Sequence, residues 1–425
     1  MQVIIDKYLK LYIFVTYYGI LFLVGGINMP NVYDYLKWRG DLSFQVDPFN
    51  EIDALILSEI AYVEFNQVLS SNNLITLKDV AESFLSNSDE QRFSFIKDSL
   101  ILLKECAKYS RFSKIKLANY VNELDYQNDK QFAAITFYLN DHDQFVAFRG
   151  TDDTILGWKE DFQMTYLYPV ESQIRATNYL KDILESNKLS KLGSSLKVAD
   201  IKKYPKIILR WIKNIITKSH VYVGGHSKGG NLAVYAVSNL SNQLTKKITT
   251  VYNFDGPGFN QTMIKQTNYQ SVTHKIRKYI PENSVFGIML ESLEPITIVK
   301  SDARGIMQHS GLTWQIIGTK FEVLDSMSFD SKVLSAAFDS WLDKVDLKTR
   351  ENAIKTIFTT LDSLEIKTID DLTKISFSDL FSLIKQLTNL DDESRNAVIV
   401  FFKTLITEST NFYKLYHLHN PEDNS

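Results

Sequence analysis

The chain has 425 residues, 44% of them hydrophobic and 12% aromatic, which is enough to bury one large core or two modest ones. Its 47 Lys and Arg residues against 50 Asp and Glu residues give a formal net charge of -3. The chain therefore lacks the positive excess that is typical of nucleic-acid-binding proteins. A single cysteine, Cys106, excludes an internal disulfide framework and a cysteine-based zinc cluster.

The chain begins with an apolar leader over residues 1–28, and Leu11 to Pro30 contains no charged residue. Three interpretations stay open. A membrane anchor, with membrane contact through residues 11–27, is weakened by Gly25-Gly26, since a span needs about 20 apolar residues. A signal peptide is weakened by an acidic residue near the start and by the lack of an A-x-A site. The favoured interpretation is a true start at Met29, which predicts a cytoplasmic protein; otherwise a membrane-associated protein is predicted.

Apolar periodicity predicts the elements of the remaining chain. An amphipathic helix is predicted over Glu51–Phe65, because Ile52, Leu55 and Ile56 recur at helical spacing, and helices are expected to continue to about Glu123. A polar turn joins the first two of the predicted strands into a hairpin. Strands are predicted over Phe132–Leu139, Gln144–Arg149, His220–Val223, Thr249–Phe254, Lys275–Ile280 and Pro295–Val299, and helices over Ser172–Ser186 and Asn231–Leu240. This alternation predicts an α/β fold with a mainly parallel central sheet covered on both faces.

The strand signals end after these elements, and a helical pattern follows. Ile354 and Phe358 lie on one helical face, and Ala397–Leu405 is apolar enough to be buried. The prediction is an α/β domain over residues 29–327, with a helical region at its N-terminal end, followed by a helical appendage over residues 328–420.

Residues 225–229 are Gly-His-Ser-Lys-Gly, a match to the G-x-S-x-G nucleophile elbow. In that motif a strained turn between a strand and a helix exposes the serine hydroxyl, and Gly225 and Gly229 avoid collisions two positions before and after Ser227. The β-branched and aromatic run Val221-Tyr222-Val223 precedes the turn, and a helical pattern follows it. This context predicts that Ser227 is a nucleophile; the competing interpretation is a glycine-rich turn without chemistry.

A serine nucleophile needs a histidine to take its proton and an acid to orient that histidine. In the fold that carries this elbow the order is serine, acid, histidine, with the histidine in a loop after the last strands. His309 satisfies that order and is the predicted base, with a surface-loop histidine as the competing interpretation. The other histidines are less well placed: His142, His220, His226, His274, His417 and His419.

The predicted acid is Glu282, which follows the strand at Lys275–Ile280 on a loop expected to face His309. Asp255, one strand earlier, and Asp302, closer to His309 in sequence, remain alternatives. Any of the three carboxylates has a structural alternative as a cap or turn residue.

An acyl-transfer site also needs two backbone N–H groups directed at the developing oxyanion. The Lys228 amide is one candidate, because it follows the nucleophile at the start of a helix, where the helix dipole helps. The Thr151 amide is the other, because Thr151 follows the strand at Gln144–Arg149.

Several segments share the pattern of one known group: Phe148-Arg149-Gly150-Thr151 with Trp158 and Asp161, Gly225 to Ala233, Val251 to Phe254 followed by Asp255-Gly256-Pro257-Gly258, and His309. Together they resemble the class 3 lipase group of α/β-hydrolases, and more closely a bacterial branch of lipase-like proteins. The resemblance covers about Asn31 to Gly318. In that branch the chain begins near a segment similar to Tyr33–Asp41, which favours Met29 as the start.

The resemblance implies Ser227 and His309 as nucleophile and base, and Thr151 and Lys228 as oxyanion donors. Two departures stand out. Class 3 lipases usually place an Asp where this chain has Pro281-Glu282-Asn283-Ser284, and the elbow carries Lys228 where lipases often have a small or apolar residue. These departures argue against long-chain triglyceride specificity, but not against hydrolysis.

The predicted function is hydrolysis of carboxylic esters, with lipid-like or acyl substrates, through an acyl-enzyme on Ser227 of an α/β-hydrolase domain. Thioesters and amides use the same constellation and stay open. The alternative is a catalytically inactive hydrolase fold that binds a lipid or a protein partner. The sequence contains no metal-site, phosphate-loop or dinucleotide motif, so no metal, no cofactor and no nucleic-acid partner is predicted.

Overall fold

The computed structural model of the chain describes residues 29–69, 74–85, 94–152, 154–186 and 219–368, together with the single residues 371, 392, 395, 396 and 399. The leader predicted over residues 1–28 lies outside this part, as do most residues of the appendage after residue 368, including nearly all of the apolar segment Ala397–Leu405. Within the described part, no helix is both long enough and apolar enough to cross a membrane.

A mixed β-sheet forms the centre of the described chain. The strands are β1 (Ile75–Thr76), β2 (Lys116–Asp125), β3 (Lys130–Tyr138), β4 (Gln144–Phe148), β5 (Val221–His226), β6 (Ile248–Phe254), β7 (Ile276–Pro281), β8 (Ile296–Val299), β9 (Ile316–Ile317), β10 (Lys320–Phe321) and β11 (Val323–Leu324). Nine of them form one sheet in the order β1-β2-β3-β4-β5-β6-β7-β8-β11. Strands β4 to β8 pair in parallel, and the pairs at both edges are antiparallel. Parallel strands end at one edge, so the loops after β4, β5, β6 and β7 lie near one another.

Helices cover both faces of this sheet. They are α1 (Val32–Arg39), α2 (Glu51–Ile60), α3 (Leu77–Leu85), α4 (Ser94–Cys106), α5 (Ser110–Ser113), α6 (Ile155–Gln163), α7 (Glu171–Glu185), α8 (Lys228–Ser238), α9 (Asn242–Thr245), α10 (Gln261–Ile264), α11 (Thr267–Val272), α12 (Phe329–Lys344) and α13 (Leu347–Ser363). Phe145 packs with α1 and α2, whereas Val146 packs with α7 and α8. Successive side chains of a strand point to opposite faces, so the sheet separates two apolar cores.

The predicted fold class, α/β with a mainly parallel central sheet and helical additions, is confirmed. The expectation that helices continue to about Glu123 is wrong, because β2 occupies Lys116–Asp125. A bulge between Ala118 and Val121, with Asn119 at φ 56°, interrupts the pairing of β2 with β3. The bulge breaks the period-two alternation by which a strand is recognised in the sequence.

The helical appendage contacts the sheet edge at two loops. Ile354 and Phe358 of α13 pack against Ile155 of α6, which follows β4. At the start of α12, the Ser331 hydroxyl donates to the Ser284 carbonyl oxygen at 2.7 Å, in the loop after β7. Both contacts lie at the edge where the parallel strands end, so the appendage adjoins the site described next.

Candidate active site

A sharp turn joins β5 to α8 at Ser227, as the elbow motif predicts. Ser227 has φ 57° and ψ -133°, a conformation that costs a non-glycine residue about 1–3 kcal/mol and persists only where the surroundings hold it. Its N–H donates to the Phe254 carbonyl oxygen at 2.8 Å, and the Gly230 N–H donates to the Ser227 carbonyl oxygen at 2.9 Å. The turn is therefore held by β6 and by the first turn of α8.

The glycines near Ser227 allow three chain segments to approach one another closely. A Cβ added to Gly225 would lie 2.4 Å from the Phe148 carbonyl oxygen, and a Cβ added to Gly229 would lie 2.1 Å from the same atom. The end of β4 packs against the elbow only because both positions lack a side chain. A Cβ at Gly150 would lie 3.1 Å from the Ser227 Cβ, so the segment after β4 runs beside the serine.

Gly229→Ala is expected to destabilise the fold by at least about 3 kcal/mol, because the added methyl group meets backbone atoms that cannot move aside. Urea unfolding measures this change in the free energy of unfolding. Gly318→Ala is the control, since Gly318 has φ +67° and no atom within 4 Å of an added Cβ. Only backbone strain of about 1 kcal/mol is expected there. Equal losses at the two positions would contradict the packing argument.

A histidine and a carboxylate meet beside the elbow. His309 Nδ1 lies 2.6 Å from Asp255 Oδ2. The His309 ring lies 4.5 Å, centroid to centroid, from the ring of His226, the residue before Ser227. Because an ionised carboxylate only accepts hydrogen bonds, Nδ1 of His309 carries the proton and donates it. The other ring nitrogen, Nε2, then has a lone pair that can take a proton.

Asp255 is fixed by its position and by further donors. It directly follows β6, the neighbour of β5 in the sheet, and it is fully buried. Its Oδ1 accepts from the Ser284 hydroxyl at 2.5 Å and from the Gly287 N–H at 3.1 Å. With Oδ1 engaged by the loop after β7, Oδ2 remains directed at His309.

A buried polar network connects His309 to the end of α2. His226 Nε2 lies 2.6 Å from the His309 carbonyl oxygen, and His226 Nδ1 lies 3.0 Å from the Tyr62 hydroxyl. Since a carbonyl oxygen only accepts, Nε2 of His226 donates and the Tyr62 hydroxyl donates to Nδ1. Glu59 Oε1 accepts from the Gly311 N–H at 3.1 Å. Two contacts therefore hold the loop that carries His309, one at the His309 carbonyl oxygen and one at the Gly311 N–H.

The two amides predicted to bind an oxyanion lie next to Ser227. Lys228 is the first residue of α8, so its N–H is one of the donors at a helix N-terminus that lack a partner within the helix. Thr151 follows Gly150 in the segment that runs beside the serine. The Thr151 hydroxyl donates to Asp161 Oδ2. The main-chain N–H, and not the hydroxyl, is therefore the group of Thr151 that is predicted to bind the oxyanion.

Aromatic rings adjoin His309. The Phe286 ring centroid lies 4.4 Å from that of His309, and the Trp158 ring lies 5.8 Å from that of Phe286. Trp158 also packs on the apolar cluster formed between α6 and α13. The described residues contain no group of His, Cys, Asp and Glu that could hold a metal ion.

The model of the Mbeg1-like family matches residues 106–359, which is more than half of the chain and includes Ser227, Asp255 and His309. The chain belongs to the Mbeg1-like family. Among solved structures, a crystal structure of M37 lipase is similar, with 14% sequence identity and a TM-score of 0.31; the match covers 56% of this chain and 70% of the lipase chain. A comparison with curated proteins found no match. The bacterial branch of lipase-like proteins that the sequence resembles stays a prediction.

In this Mbeg1-like chain, the predicted contact of Glu282 with His309 is wrong. Glu282 Oε1 lies 3.4 Å from Gln308 Nε2, and Asp255 makes the contact with His309. The physical reason is strand order: Asp255 ends the strand adjacent to the elbow strand, whereas Glu282 ends the next strand along. Asp302 is also engaged elsewhere, since its Oδ1 accepts from the Gln315 side chain.

Other residues of the Mbeg1-like site carry no sequence signal that would find them. Tyr62 and Glu59 belong to the N-terminal region, and no motif links them to an elbow more than 160 residues away. Ser284 lies in the segment Pro281-Glu282-Asn283-Ser284, but a lone serine there does not predict a contact with Asp255. The signal for Asp255 itself was its place directly after a strand, in Phe254-Asp255-Gly256.

Protonation of His226 is expected to weaken this Mbeg1-like fold at acid pH. Burial lowers the pKa of His226. The stability that this neutral histidine contributes is therefore present above its unfolded pKa, about 6.5, and is lost as pH falls toward the lower folded value. His226→Gln, which keeps an N–H donor, should reduce the fall in Tm between pH 7 and pH 5. An unchanged slope would contradict the assignment of a neutral His226.

Proposed function

We propose that the chain is a serine hydrolase that cleaves carboxylic esters, with lipid-like or acyl substrates, through an acyl-enzyme on Ser227. The observation that carries this proposal is the 2.6 Å contact between His309 Nδ1 and Asp255 Oδ2 beside the strained turn at Ser227. A fold that had lost catalysis has no need to keep a buried acid on the histidine. The geometry therefore supports an enzyme over a binding module.

In the first half of the reaction, Ser227 Oγ attacks the acyl carbonyl carbon and its proton passes to His309 Nε2. Asp255 holds the imidazolium that forms. The carbonyl oxygen becomes an oxyanion, which the amides of Thr151 and Lys228 stabilise. Collapse of this intermediate breaks the ester C–O bond, and His309 gives its proton to the leaving oxygen, so that the alcohol departs.

In the second half, water attacks the acyl-enzyme. His309 takes one proton from the water as the new C–O bond forms, and the same two amides stabilise the second oxyanion. Cleavage of the bond to Ser227 Oγ returns that proton to the serine and releases the carboxylic acid. Each half uses His309 first as base and then as acid, which requires the Nδ1-protonated form that Asp255 favours.

An apolar acyl group suits the surroundings of His309. The Phe286 ring lies next to the histidine, the Trp158 ring packs against Phe286, and Trp158 in turn contacts the apolar cluster that includes residues of α13. Burying apolar surface against these rings contributes roughly 25 cal/mol per Å² of area removed from water. A longer acyl chain should therefore bind more tightly than acetate.

Hydrolysis of p-nitrophenyl esters with acyl chains of two to twelve carbons tests the proposal. We expect the purified chain to hydrolyse these esters, with KM falling as the acyl chain lengthens. A folded chain that hydrolyses none of them, and that binds a lipid or a protein partner without turnover, would overturn the proposal in favour of the inactive-fold alternative.

A further inference from the structure

The Lys228 side chain lies inside the protein, although it follows the nucleophile directly. Both Lys228 and Glu160 have 0% side-chain exposure, and Lys228 Nζ lies 3.0 Å from Glu160 Oε2. The ammonium also donates to the Gln131 carbonyl oxygen at 3.0 Å and to Gln131 Oε1 at 2.6 Å. Three donors thus meet three acceptors, which is the condition under which a charge is tolerated in the interior.

The acceptors of Lys228 lead to the other proposed oxyanion donor. Gln131 Nε2 donates to the Gly150 carbonyl oxygen at 3.4 Å, and this carbonyl belongs to the peptide group whose N–H is that of Thr151. The next residue after Glu160 on α6 is Asp161, which accepts the Thr151 hydroxyl. Burial raises the pKa of Asp161 to about 6, and the charge of Lys228 opposes that rise. Lys228 is therefore connected to the Gly150–Thr151 peptide by two routes.

Stability alone does not explain a lysine at this position. An ammonium near a helix N-terminus opposes the helix dipole. Replacing a buried ion pair by apolar groups of similar size is often neutral or stabilising. A buried pair has its best-attested use where it specifies one arrangement of the groups around it.

We propose that Lys228 is a positioning residue for the oxyanion hole. Its ammonium, through Gln131 and Glu160, sets the Gly150–Thr151 peptide against the elbow amide so that both N–H groups point to one oxygen. This inference rests on the proposed serine hydrolase function. It assigns a role to the residue at which the elbow departs from the usual lipase pattern.

The double variant Lys228→Met with Glu160→Gln tests the proposal, because it removes both charges and leaves neither one buried alone. We expect kcat for a p-nitrophenyl ester to fall about 100-fold, comparable with the loss of one oxyanion donor, while KM changes less than about threefold. The Ki of a boronic acid, which forms a tetrahedral adduct with the serine, should rise in parallel with the loss in kcat/KM. Active sites are counted by titration with a fluorophosphonate, so that kcat refers to folded molecules.

The matched control is Arg111→Met with Asp53→Asn. This ion pair is equally buried, with Arg111 Nη2 2.6 Å from Asp53 Oδ2, but it joins the N-terminal helices away from the elbow. Its replacement should leave kcat and the boronic acid Ki unchanged, whichever way Tm moves. A Lys228/Glu160 variant that likewise keeps the wild-type kcat and Ki would overturn the proposal.

Two further arms keep the test decisive. If the double variant does not fold, Lys228→Arg replaces it. The arginine keeps the charge but cannot reproduce three hydrogen bonds from one nitrogen, so kcat should still fall at unchanged KM. A wild-type kcat in Lys228→Arg would then overturn the proposal. Failure of the underlying function is distinguishable, because the wild-type chain would then neither hydrolyse ester nor react with the fluorophosphonate.

Discussion

Ser227→Ala is expected to lower kcat for a p-nitrophenyl ester by about 10⁶-fold, the loss that follows removal of a serine nucleophile. No group at position 227 then attacks the acyl carbon, and only the oxyanion donors and substrate binding remain. Because alanine differs from serine only by the loss of one oxygen atom, the change introduces no steric clash, and the fold should persist. Initial rates under substrate saturation measure the effect.

Ser238→Ala is the matched control for this variant. Ser238 is a buried serine on α8, the helix that follows Ser227, and its hydroxyl donates to the Val234 carbonyl oxygen at 2.8 Å. Its loss removes a comparable hydroxyl at a distance from the elbow, so kcat should stay within about twofold of wild type. Ester hydrolysis by Ser227→Ala at the rate of Ser238→Ala would place the nucleophile elsewhere.

Asp255→Asn is expected to lower kcat by about 10⁴-fold, with little change in KM. The amide can present its NH₂ group to His309, which favours the tautomer with the proton on Nε2. That nitrogen then has no lone pair with which to take the proton of Ser227. The volume of the side chain is unchanged, so the effect is separable from folding by comparing Tm.

Glu282→Gln distinguishes the two carboxylates that the sequence offers. Gln308 Nε2 donates to Glu282 Oε1 at 3.4 Å, and within the described residues Glu282 forms no side-chain hydrogen bond or ion pair with His309. We therefore expect kcat to stay within about threefold of wild type. The opposite outcome, a large loss in Glu282→Gln and a small one in Asp255→Asn, would contradict the observed pairing of Asp255 with His309.

The elbow and its surroundings were predictable because they depend on local pattern. The strand Val221–His226, the turn at Ser227 and the helix from Lys228 follow from a β-branched run, closely spaced glycines and a helical pattern in sequence. The hairpin of β3 and β4 follows from alternation around a polar turn. Each of these signals lies within about ten residues, where propensity and turn chemistry act.

The acid and the network around it depend on contacts between distant segments. Position along the chain favoured Glu282 and left Asp255 as an alternative, and the order of strands in the sheet separates the two. Tyr62 reaches His226 across 164 residues, and Lys228 reaches Glu160 across 68. Such pairs form when the sheet and helices pack, which single-sequence patterns do not specify. Strand β2 was not predicted for a related reason. Its bulge breaks the alternation of side chains, so its pairing with β3 is what defines it as a strand.

The assignment of Ser227 as the nucleophile is tested by the intact mass of the chain after reaction with a fluorophosphonate, followed by peptide mapping. We predict one covalent adduct per molecule, on Ser227, absent from Ser227→Ala and formed far more slowly in Asp255→Asn. A folded wild-type chain that gains no mass, or that gains it at another residue while Ser227 stays unmodified, would contradict the claim that Ser227 is the nucleophile.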